Sequence, residues 1–248
     1  MKSTNDMSKV QPDPSKKMNA YLYQEIVDSY DRERFSSIAG KMFDKAEKDI
    51  VLKNIPPEIN GSIIEVGAGT GRFSLEIAKM NYQITACDFS LPMLKKIREK
   101  MTRLQIDNID LVNCSINFLP FRDRSADYIY SVRVLNNLPS KKDELAAAAE
   151  LIRVSRNTAL FDMVNSLSIA RLNFSDTSRF ISKFEMEKTV RGIHSIIKIS
   201  TEGKRIIPHT IYTCMPECLL SYIEKADDFC CRFLEIFAVR IYFITKKG

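Results

Sequence analysis

Three closely spaced glycines mark the part of the chain best suited to bind a ligand. Gly67, Gly69 and Gly71 fall within the run Glu65-Val66-Gly67-Ala68-Gly69-Thr70-Gly71-Arg72, between a strand-like pattern and a helix-like pattern. Glycine lets a backbone turn sharply, and it lets a ligand touch the main chain without a side chain between them. The unpaired amides and the positive dipole end of a following helix suit a carboxylate or a phosphate. The run therefore predicts a ligand-binding loop; a tight turn with glycines for packing is the alternative.

The spacing of the loop argues against two common nucleotide-binding loops. A dinucleotide loop has the pattern Gly-x-Gly-x-x-Gly, whose third glycine packs the helix against the strand. Here that position is Arg72, and the third glycine comes one residue early, which disfavours a dehydrogenase. No Gly-Lys-Ser/Thr follows, as a phosphate-binding loop would require. Glu65, two residues before Gly67, favours a cationic or zwitterionic ligand instead.

A second carboxylate, Asp88, ends the next strand pattern, seventeen residues after Gly71. A carboxylate at that place can accept hydrogen bonds from both hydroxyls of an adenosine ribose in the crevice above a sheet. The alternative is a structural role, in which Asp88 or Ser90 caps the following helix.

These residues need a sheet to position them, and the sequence predicts one. Apolar, β-rich runs alternate with helical stretches, an order that predicts right-handed βαβ crossovers and a parallel sheet covered on both faces. The predicted strands are 62–66, 83–87, 109–112, 127–131 and 159–164, with two late strands at 193–200 and 238–245; the helices between the early strands are 72–80, 91–103 and 141–154. Ser140, with Asp143 three residues later, is predicted to cap the last of these helices.

Composition and patterning predict one domain with a flexible tail. Residues 1–18 are polar, carry two prolines and show no apolar period, so we expect a flexible tail. We assign 19–248 to a single domain. Its parts are a helical lid at 19–60, a ligand-binding core at 61–165, a covering insertion at 166–216, and a final helix and strand at 217–248. The lid is predicted to hold one helix that begins at Tyr21 and a second that runs from Ser36 or Ser37 to Leu52. The covering insertion is predicted to begin with a helical stretch at 166–190.

The overall composition excludes several classes of protein. Of the 248 residues 45% are hydrophobic and 27% are charged, with 8 glycines and 9 prolines, which excludes a collagen-like or largely disordered chain. No apolar run approaches the roughly 20 residues that span a bilayer; the segment 237–244 is short and contains Arg240. The first seventeen residues lack the apolar centre of a secretory signal. We therefore expect a soluble, cytoplasmic protein.

The net charge and the cysteines of the chain argue against a nucleic-acid partner, disulfide bonds and a metal site. A net charge of +6 spread along the chain indicates solubility rather than a nucleic-acid footprint, so RNA stays only as an alternative partner. With no export signal, the six cysteines are expected to be free thiols. Cys214 and Cys218, and the adjacent Cys230 and Cys231, do not form a zinc pattern, and the chain has only two histidines. We expect no metal site.

The order and spacing of these motifs resemble the class I S-adenosylmethionine-dependent methyltransferases, in particular their small-molecule and ubiquinone/menaquinone-type branch. The resemblance covers roughly residues 30–165, and Leu119-Pro120-Phe121 looks like the Leu-Pro-Phe that follows the third strand in that family. It implies S-adenosyl-L-methionine as cofactor and a Rossmann-like α/β fold, a seven-stranded, mostly parallel sheet with helices on both faces. The usual Lys-Pro-Gly-Gly before the fifth strand is replaced by Ser155-Arg156-Asn157-Thr158, in a loop that the family places far from the chemistry.

The resemblance also implies roles for individual residues. Glu65 to Gly71 looks like the first motif of the family, Asp88 like its ribose-binding acid, and Met93 like the residue that flanks adenine. Ser115 stands where the family usually has an Asp or Asn that contacts the adenine amino group. The residues implied to bind the cofactor are Tyr30, Arg34, Glu65, Gly67, Ala68, Gly69, Gly71, Asp88, Phe89, Met93, Ser115, Ile116 and Ser131.

On the substrate side, the resemblance implies a pocket built by the N-terminal helices and by the segment after the fifth strand. Tyr30 and Arg34 are expected to close over the cofactor's carboxylate, with a solvated helix as the alternative. Asn136 and Asn137 stand where related enzymes often carry a histidine pair; they can position a substrate but cannot take its proton. His209 in a predicted loop is the preferred general base, with Tyr212 nearby as a substrate residue. His194 is assigned a structural role.

These expectations predict an enzyme, an S-adenosylmethionine-dependent methyltransferase that acts on an oxygen, nitrogen or carbon atom of a small-molecule or lipid-like acceptor. Two alternatives remain: an RNA methyltransferase, which only the net charge supports, and a non-catalytic cofactor-binding protein that regulates a partner. The identity of the acceptor and the oligomeric state stay open.

Overall fold

A computed structural model describes residues 19–57, 59, 61–168, 180–193, 196–207 and 209–247. Within these ranges the side chains of residues 196, 197, 209, 210 and 213 are not described. The predicted tail at 1–18 and residues 169–179 of the predicted covering insertion lie outside them.

The described residues form one seven-stranded sheet with the order β3-β2-β1-β4-β5-β7-β6. β1 to β5 are parallel, and β7 runs antiparallel to both of its neighbours. The fold is thus the expected Rossmann-like, mostly parallel α/β sheet. The strands are β1 Ile63–Val66, β2 Ile84–Asp88, β3 Ile109–Asn113, β4 Ala126–Ser131, β5 Ser155–Val164, β6 Ile196–Lys204 and β7 Arg240–Lys247.

Helices cover both faces of the sheet, and hydroxyl side chains begin several of them. The Ser37 side chain accepts the Gly40 N–H at 3.0 Å, and Ser140 accepts the Asp143 N–H at 3.2 Å, as its spacing predicts. The helices in the described ranges are α1 Gln24–Phe35, α2 Ile38–Lys53, α3 Ser74–Lys79, α4 Leu91–Leu104, α5 Lys141–Val154, α6 Lys183–Arg191, α7 His209–Cys214 and α8 Glu217–Phe233.

The junction between α5 and β5 differs from the prediction. The sequence predicts a loop at residues 155–158, but α5 ends at Val154 and β5 begins directly at Ser155. Pairing with β4 shifts register between Ala126 and Tyr128, which accommodates the extra residue of this early strand start. The Arg156 guanidinium then forms an ion pair with Asp127 at 2.8 Å. Four polar residues therefore extend the strand instead of interrupting it.

Two apolar layers enclose the sheet. On one face Phe161 and Phe243 of neighbouring strands stack with ring centroids 5.5 Å apart. On the other face Tyr128, Tyr130 and Tyr242 are fully buried. Because both faces are covered, all six residues of β4 are buried, as expected for a central parallel strand. This rigid double-sided core fixes the carboxyl ends of β1, β2 and β4, where the glycine loop and Asp88 lie.

In the part of the chain that the structure describes, no helix combines the length and the apolar character needed to span a bilayer. The six cysteines are free thiols.

Candidate functional site

The glycine loop opens onto a pocket of about 900 Å³, including the space that is open to solvent. It lies at the carboxyl edge of the sheet, where parallel α/β folds bind ligands. We call it the glycine-loop pocket. Ten of the predicted cofactor residues line it: Tyr30, Glu65, Gly67, Ala68, Gly69, Asp88, Phe89, Met93, Ser115 and Ile116.

The three glycines of the loop are required for different structural reasons, although all have positive φ (+77°, +54° and +80°). A Cβ on Gly67 would collide with the side chain of Val134, and one on Gly71 would lie 2.9 Å from the side chain of Ile97. A Cβ on Gly69 would meet nothing within 4 Å. Gly69 therefore presents bare backbone to open space in the pocket, which is the arrangement that a closely bound ligand requires.

Asp88 holds the loop and faces the pocket. Its Oδ2 accepts the Gly69 N–H at 2.7 Å, and its Oδ1 accepts the Ser90 N–H at 2.9 Å. Burial raises the pKa of Asp88 to about 6. The cap of α4 is Ser90, whose hydroxyl accepts the Met93 N–H at 3.3 Å. Asp88 therefore is not the helix cap, and as a lining residue it can accept a hydrogen bond from a ligand.

Glu65 is a second buried carboxyl group at the pocket, 2% exposed. The hydroxyl of Ser74 at the start of α3 donates a hydrogen bond to it. Burial raises the pKa of Glu65 to about 7, so the group titrates near neutral pH. A cationic group in the pocket would favour its ionised form. This agrees with the zwitterionic or cationic ligand that the sequence indicates.

Three predicted cofactor residues do not line the pocket. Arg34 is exposed: it donates to the Tyr21 hydroxyl at 3.1 Å and lies over the Tyr30 ring at 4.6 Å, so it supports two tyrosines of the wall. Gly71 packs against α4. Ser131 is buried and donates to the Val66 carbonyl at 2.9 Å, which joins β4 to β1.

The predicted substrate residues separate in the structure. Asn137 lines the glycine-loop pocket, and its amide donates to the Arg133 carbonyl at 2.7 Å. Asn136 lies outside the lining and donates to Asn137 at 3.3 Å. Tyr212 is buried elsewhere: it packs edge-on against Phe43 at 5.1 Å, in the wall of a second cavity. His209 begins α7, but its side chain, like residue His194, lies outside the described residues.

An ion-pair network behind the loop is not among the features predicted from the sequence. Glu47 of α2 is 5% exposed and accepts hydrogen bonds from Arg72 and Arg133, both at 2.6 Å. Although burial alone would raise it, the two nearby arginines hold the pKa of Glu47 below its ordinary value. Both arginines line the pocket, and Arg133 has a left-handed backbone (φ +64°). The available signal is an acid on an apolar helix face, since Glu47 follows Phe43 by four residues and precedes Ile50 by three.

Comparisons with known proteins agree with this geometry. A methyltransferase-domain family profile matches residues 63–158. The chain is 32% identical over 136 residues to a demethylmenaquinone methyltransferase of Listeria monocytogenes, over 54% of this chain and 55% of that protein. It is 26% identical over 139 residues to a ubiquinone/menaquinone biosynthesis C-methyltransferase of Rickettsia massiliae, over 53% of this chain and 55% of that protein. The chain thus spans about half the length of these curated relatives.

Solved structures share the fold. The magnesium protoporphyrin IX methyltransferase of Synechocystis PCC 6803, with bound S-adenosylhomocysteine, superposes with a TM-score of 0.62 at 11% identity, over 95% of this chain and all of that chain. The motifs from Glu65 to Phe121, the strand order and the matched domain all point to the same group. The chain thus contains a methyltransferase domain at residues 63–158, and over about half of its length it is similar to quinone methyltransferases.

Proposed function

We propose that the chain transfers a methyl group from S-adenosylmethionine to a small-molecule or lipid-like acceptor. The observation that carries the proposal is the bare backbone of Gly69, which lines the same pocket as the buried carboxyl groups of Glu65 and Asp88. When bound, the cofactor supplies a methyl group on a positively charged sulfur, which is the electrophile of the reaction.

The lining residues fit the separate parts of this cofactor. Glu65, once ionised, can accept hydrogen bonds from an ammonium group, and Asp88 can accept them from ribose hydroxyls. Phe89, Met93 and Ile116 offer apolar surface for an adenine ring, and the Ser115 hydroxyl offers a hydrogen bond to its edge. The chain's own contribution to the reaction is alignment, because an activated methyl group needs an in-line approach more than it needs covalent help.

The acceptor is proposed at a coarser level. The pocket supports a small organic molecule as the acceptor. Within that class, the names of the relatives make a quinone precursor the first compound to test. Arg133 and Asn137 line the pocket on the side of β4 and the following turn, away from Asp88 and Met93. We place the acceptor at these two residues, where hydrogen bonds can orient it.

Ligand-induced stabilisation tests the cofactor. We expect S-adenosylhomocysteine at 100 times its Kd to stabilise the protein by about 2.7 kcal/mol, which raises Tm by roughly 5–10 °C for a chain of this size. NAD should leave Tm unchanged, because the glycine spacing is not that of a dinucleotide loop. A shift with NAD and none with S-adenosylhomocysteine in differential scanning calorimetry would contradict the proposal.

Turnover separates an enzyme from a cofactor-binding regulator. We expect transfer of a labelled methyl group to at least one member of an acceptor panel that contains quinone precursors, amines and anionic aromatic compounds. A protein that binds S-adenosylhomocysteine tightly but methylates no compound in a metabolite extract would be a non-catalytic binding protein.

His209 stays the proposed general base for an acceptor that attacks through a hydroxyl. Its replacement in His209→Ala should lower kcat by about 10²–10⁴-fold and leave the Kd for S-adenosylhomocysteine nearly unchanged, because the cofactor pocket is built from other elements. The wild-type rate should fall as pH drops below about 6.5. Full activity of the variant with a flat acid limb would mean that no histidine base is used.

A further inference from the structure

A second cavity, of about 420 Å³ including the space that is open to solvent, lies between α2, the end of β6, α7, α8 and the start of β7. We call it the arginine cavity. An ion pair joins the walls of the two spaces: Glu47 lines the arginine cavity, Arg133 lines the glycine-loop pocket, and Nε of Arg133 donates to Oε1 of Glu47 at 2.6 Å. The two spaces are therefore neighbours on the same edge of the sheet.

Most carboxylates in the wall of the arginine cavity are already neutralised or hydrogen-bonded. Glu47 is held by two arginines. Asp227 accepts two backbone N–H groups, at 2.8 and 3.0 Å, and the Tyr212 hydroxyl at 2.6 Å. Asp228 forms an ion pair with a lysine at 3.0 Å. Burial, and then Asp228, raise the pKa of Glu224, so this remaining acid carries less negative charge than an exposed one would.

Three hydrogen-bond donors of the cavity, in contrast, have no acceptor among the described residues. Among the described residues no carboxylate lies within 4.0 Å of the Arg205 guanidinium, which rests 4.4 Å from the centre of the Phe43 ring. Nε of Arg240 and Oη of Tyr242 are buried without a hydrogen-bond partner. Arg240 is 8% exposed and Tyr242 is fully buried. Three donors from two strand ends thus face one cavity without an acceptor.

The charges around Arg205 sharpen this imbalance. Burial, and then the nearby Arg240 and Arg133, lower the pKa of Arg205 to about 10, so the group remains protonated at neutral pH. Arg240 and Arg133 each have a carboxylate partner, Asp162 and Glu47, whereas Arg205 has none in the described residues. An unpaired, largely desolvated charge is unfavourable, as are buried donors without acceptors.

We propose that the arginine cavity binds a small oxyanion, a carboxylate or a phosphate group, through Arg205, Arg240 and Tyr242. A planar guanidinium and two further donors match the several acceptor oxygens of such a group. The anion has two possible sources, a free anion or the anionic group of the methyl acceptor; the second source rests on the proposed methyl transfer.

Inorganic phosphate is the probe for the site itself. With ionic strength held constant by NaCl, we expect phosphate to raise the Tm of the wild-type protein and to show saturable binding by calorimetry. Arg205→Gln should weaken phosphate binding about tenfold or more. Tyr242→Phe removes only a hydroxyl and should weaken it by a smaller factor without loss of fold. Arg232→Gln removes one exposed charge from α8 and serves as the matched control, with wild-type phosphate binding.

The behaviour without phosphate separates a binding role from a structural one. Because Arg205 has no ionic partner to lose, Arg205→Gln should keep or raise the Tm in phosphate-free buffer. Equal phosphate binding by the wild type and Arg205→Gln, or a large loss of Tm in this variant without phosphate, would overturn the proposal.

Kinetics distinguish the two sources. If the anion belongs to the acceptor, phosphate competes with it, and Arg205→Gln raises KM for carboxylated or phosphorylated acceptors but not for uncharged ones. If the anion is free, phosphate binds without competition; both results support an oxyanion site. Binding of S-adenosylhomocysteine is measured in parallel, so that a failure of the cofactor assignment is recognised separately from a failure of phosphate to bind.

Discussion

At the scale of single residues, the glycine-loop pocket is defined by two carboxyl groups that the fold buries before any ligand binds. Glu65 and Asp88 are 2% and 6% exposed, and burial raises both pKa values, to about 7 and about 6. Since the folded state holds their protons more tightly than the unfolded chain does, both groups favour folding at low pH. That contribution is full below about pH 4 and is lost as pH rises through 6 and 7. The ligand-free pocket is therefore electrostatically unfavourable at neutral pH.

This unfavourable state predicts a pH dependence of cofactor binding. If the ligand's ammonium and hydroxyl groups require ionised carboxylates, binding must remove protons from Glu65 and Asp88 at low pH. We expect the Kd for S-adenosylhomocysteine to rise about tenfold or more between pH 8 and pH 6, measured by calorimetry with proton release. Glu65→Gln should bind more weakly at pH 8 and lose most of this dependence. A Kd that is constant from pH 8 to 6 in the wild type would remove Glu65 from the ammonium site.

At the scale of elements, the loop between β1 and α3 serves two tasks that sequence spacing cannot separate. All three glycines have positive φ, but a Cβ on Gly71 would press against Ile97 of α4, whereas a Cβ on Gly69 would point into open space. One glycine therefore belongs to the packing of the fold and the other to the pocket, although they lie two residues apart.

Alanine substitutions test this division. Both Gly69→Ala and Gly71→Ala should lower the free energy of unfolding by about 1–2 kcal/mol, because alanine disfavours the left-handed backbone at these positions. Gly71→Ala should lower the free energy of unfolding further, because the new Cβ presses against Ile97. It should change the Kd for S-adenosylhomocysteine little. Gly69→Ala should instead raise the Kd for S-adenosylhomocysteine tenfold or more. Urea denaturation and calorimetry on the same samples give both quantities, and the opposite pattern would reverse the two assignments.

The elements also show which properties could be predicted from sequence. Apolar runs and helical periods predict the seven strands and most of the helices to within a few residues, since local patterns determine them. Two helix predictions are wrong: α7 begins at His209, where the sequence predicts a loop, and α6 begins at Lys183 although a helical stretch is predicted from 166. The side chains that contact the pocket depend on rotation and packing as well. Arg34 and Ser131 lie near lining residues in the sequence but do not line the pocket themselves. The Arg34 side chain is exposed to solvent, and the Ser131 hydroxyl donates to the Val66 carbonyl. The location of Tyr212 depends on where α7 packs against α2, a long-range contact without a local pattern.

At the scale of the whole molecule, charged contacts attach the N-terminal helices to the sheet beside the pocket. Glu47 of α2 joins Arg72 of the glycine loop to Arg133 after β4. Asp31 of α1 accepts hydrogen bonds from the Thr70 hydroxyl at 2.5 Å and from Lys100 at 2.6 Å. The wall made of α1 and α2 is thus fixed to the same loop that would hold the cofactor.

Removal of the Glu47 charge should loosen this attachment. Glu47→Gln leaves two arginines facing a neutral amide in a buried site, and we expect a loss of about 3 kcal/mol in the free energy of unfolding. Glu99→Gln is the control, since its side chain is 62% exposed and pairs with Lys96 at 3.3 Å; it should cost at most about 0.5 kcal/mol. Equal urea midpoints for the two variants would show that the network does not stabilise the fold.

The position of β7 has a consequence for synthesis on the ribosome. β7 follows β6 in sequence, but it lies between β5 and β6 in the described sheet. In the described sheet β6 pairs with β7 alone, so it emerges from the ribosome before its hydrogen-bonding partner exists. At about 5–20 residues per second, several seconds pass between the two strands. During that interval the outer edge of β5 is open to pairing with another nascent chain. The yield of native protein therefore depends on how soon translation delivers residues 240–247.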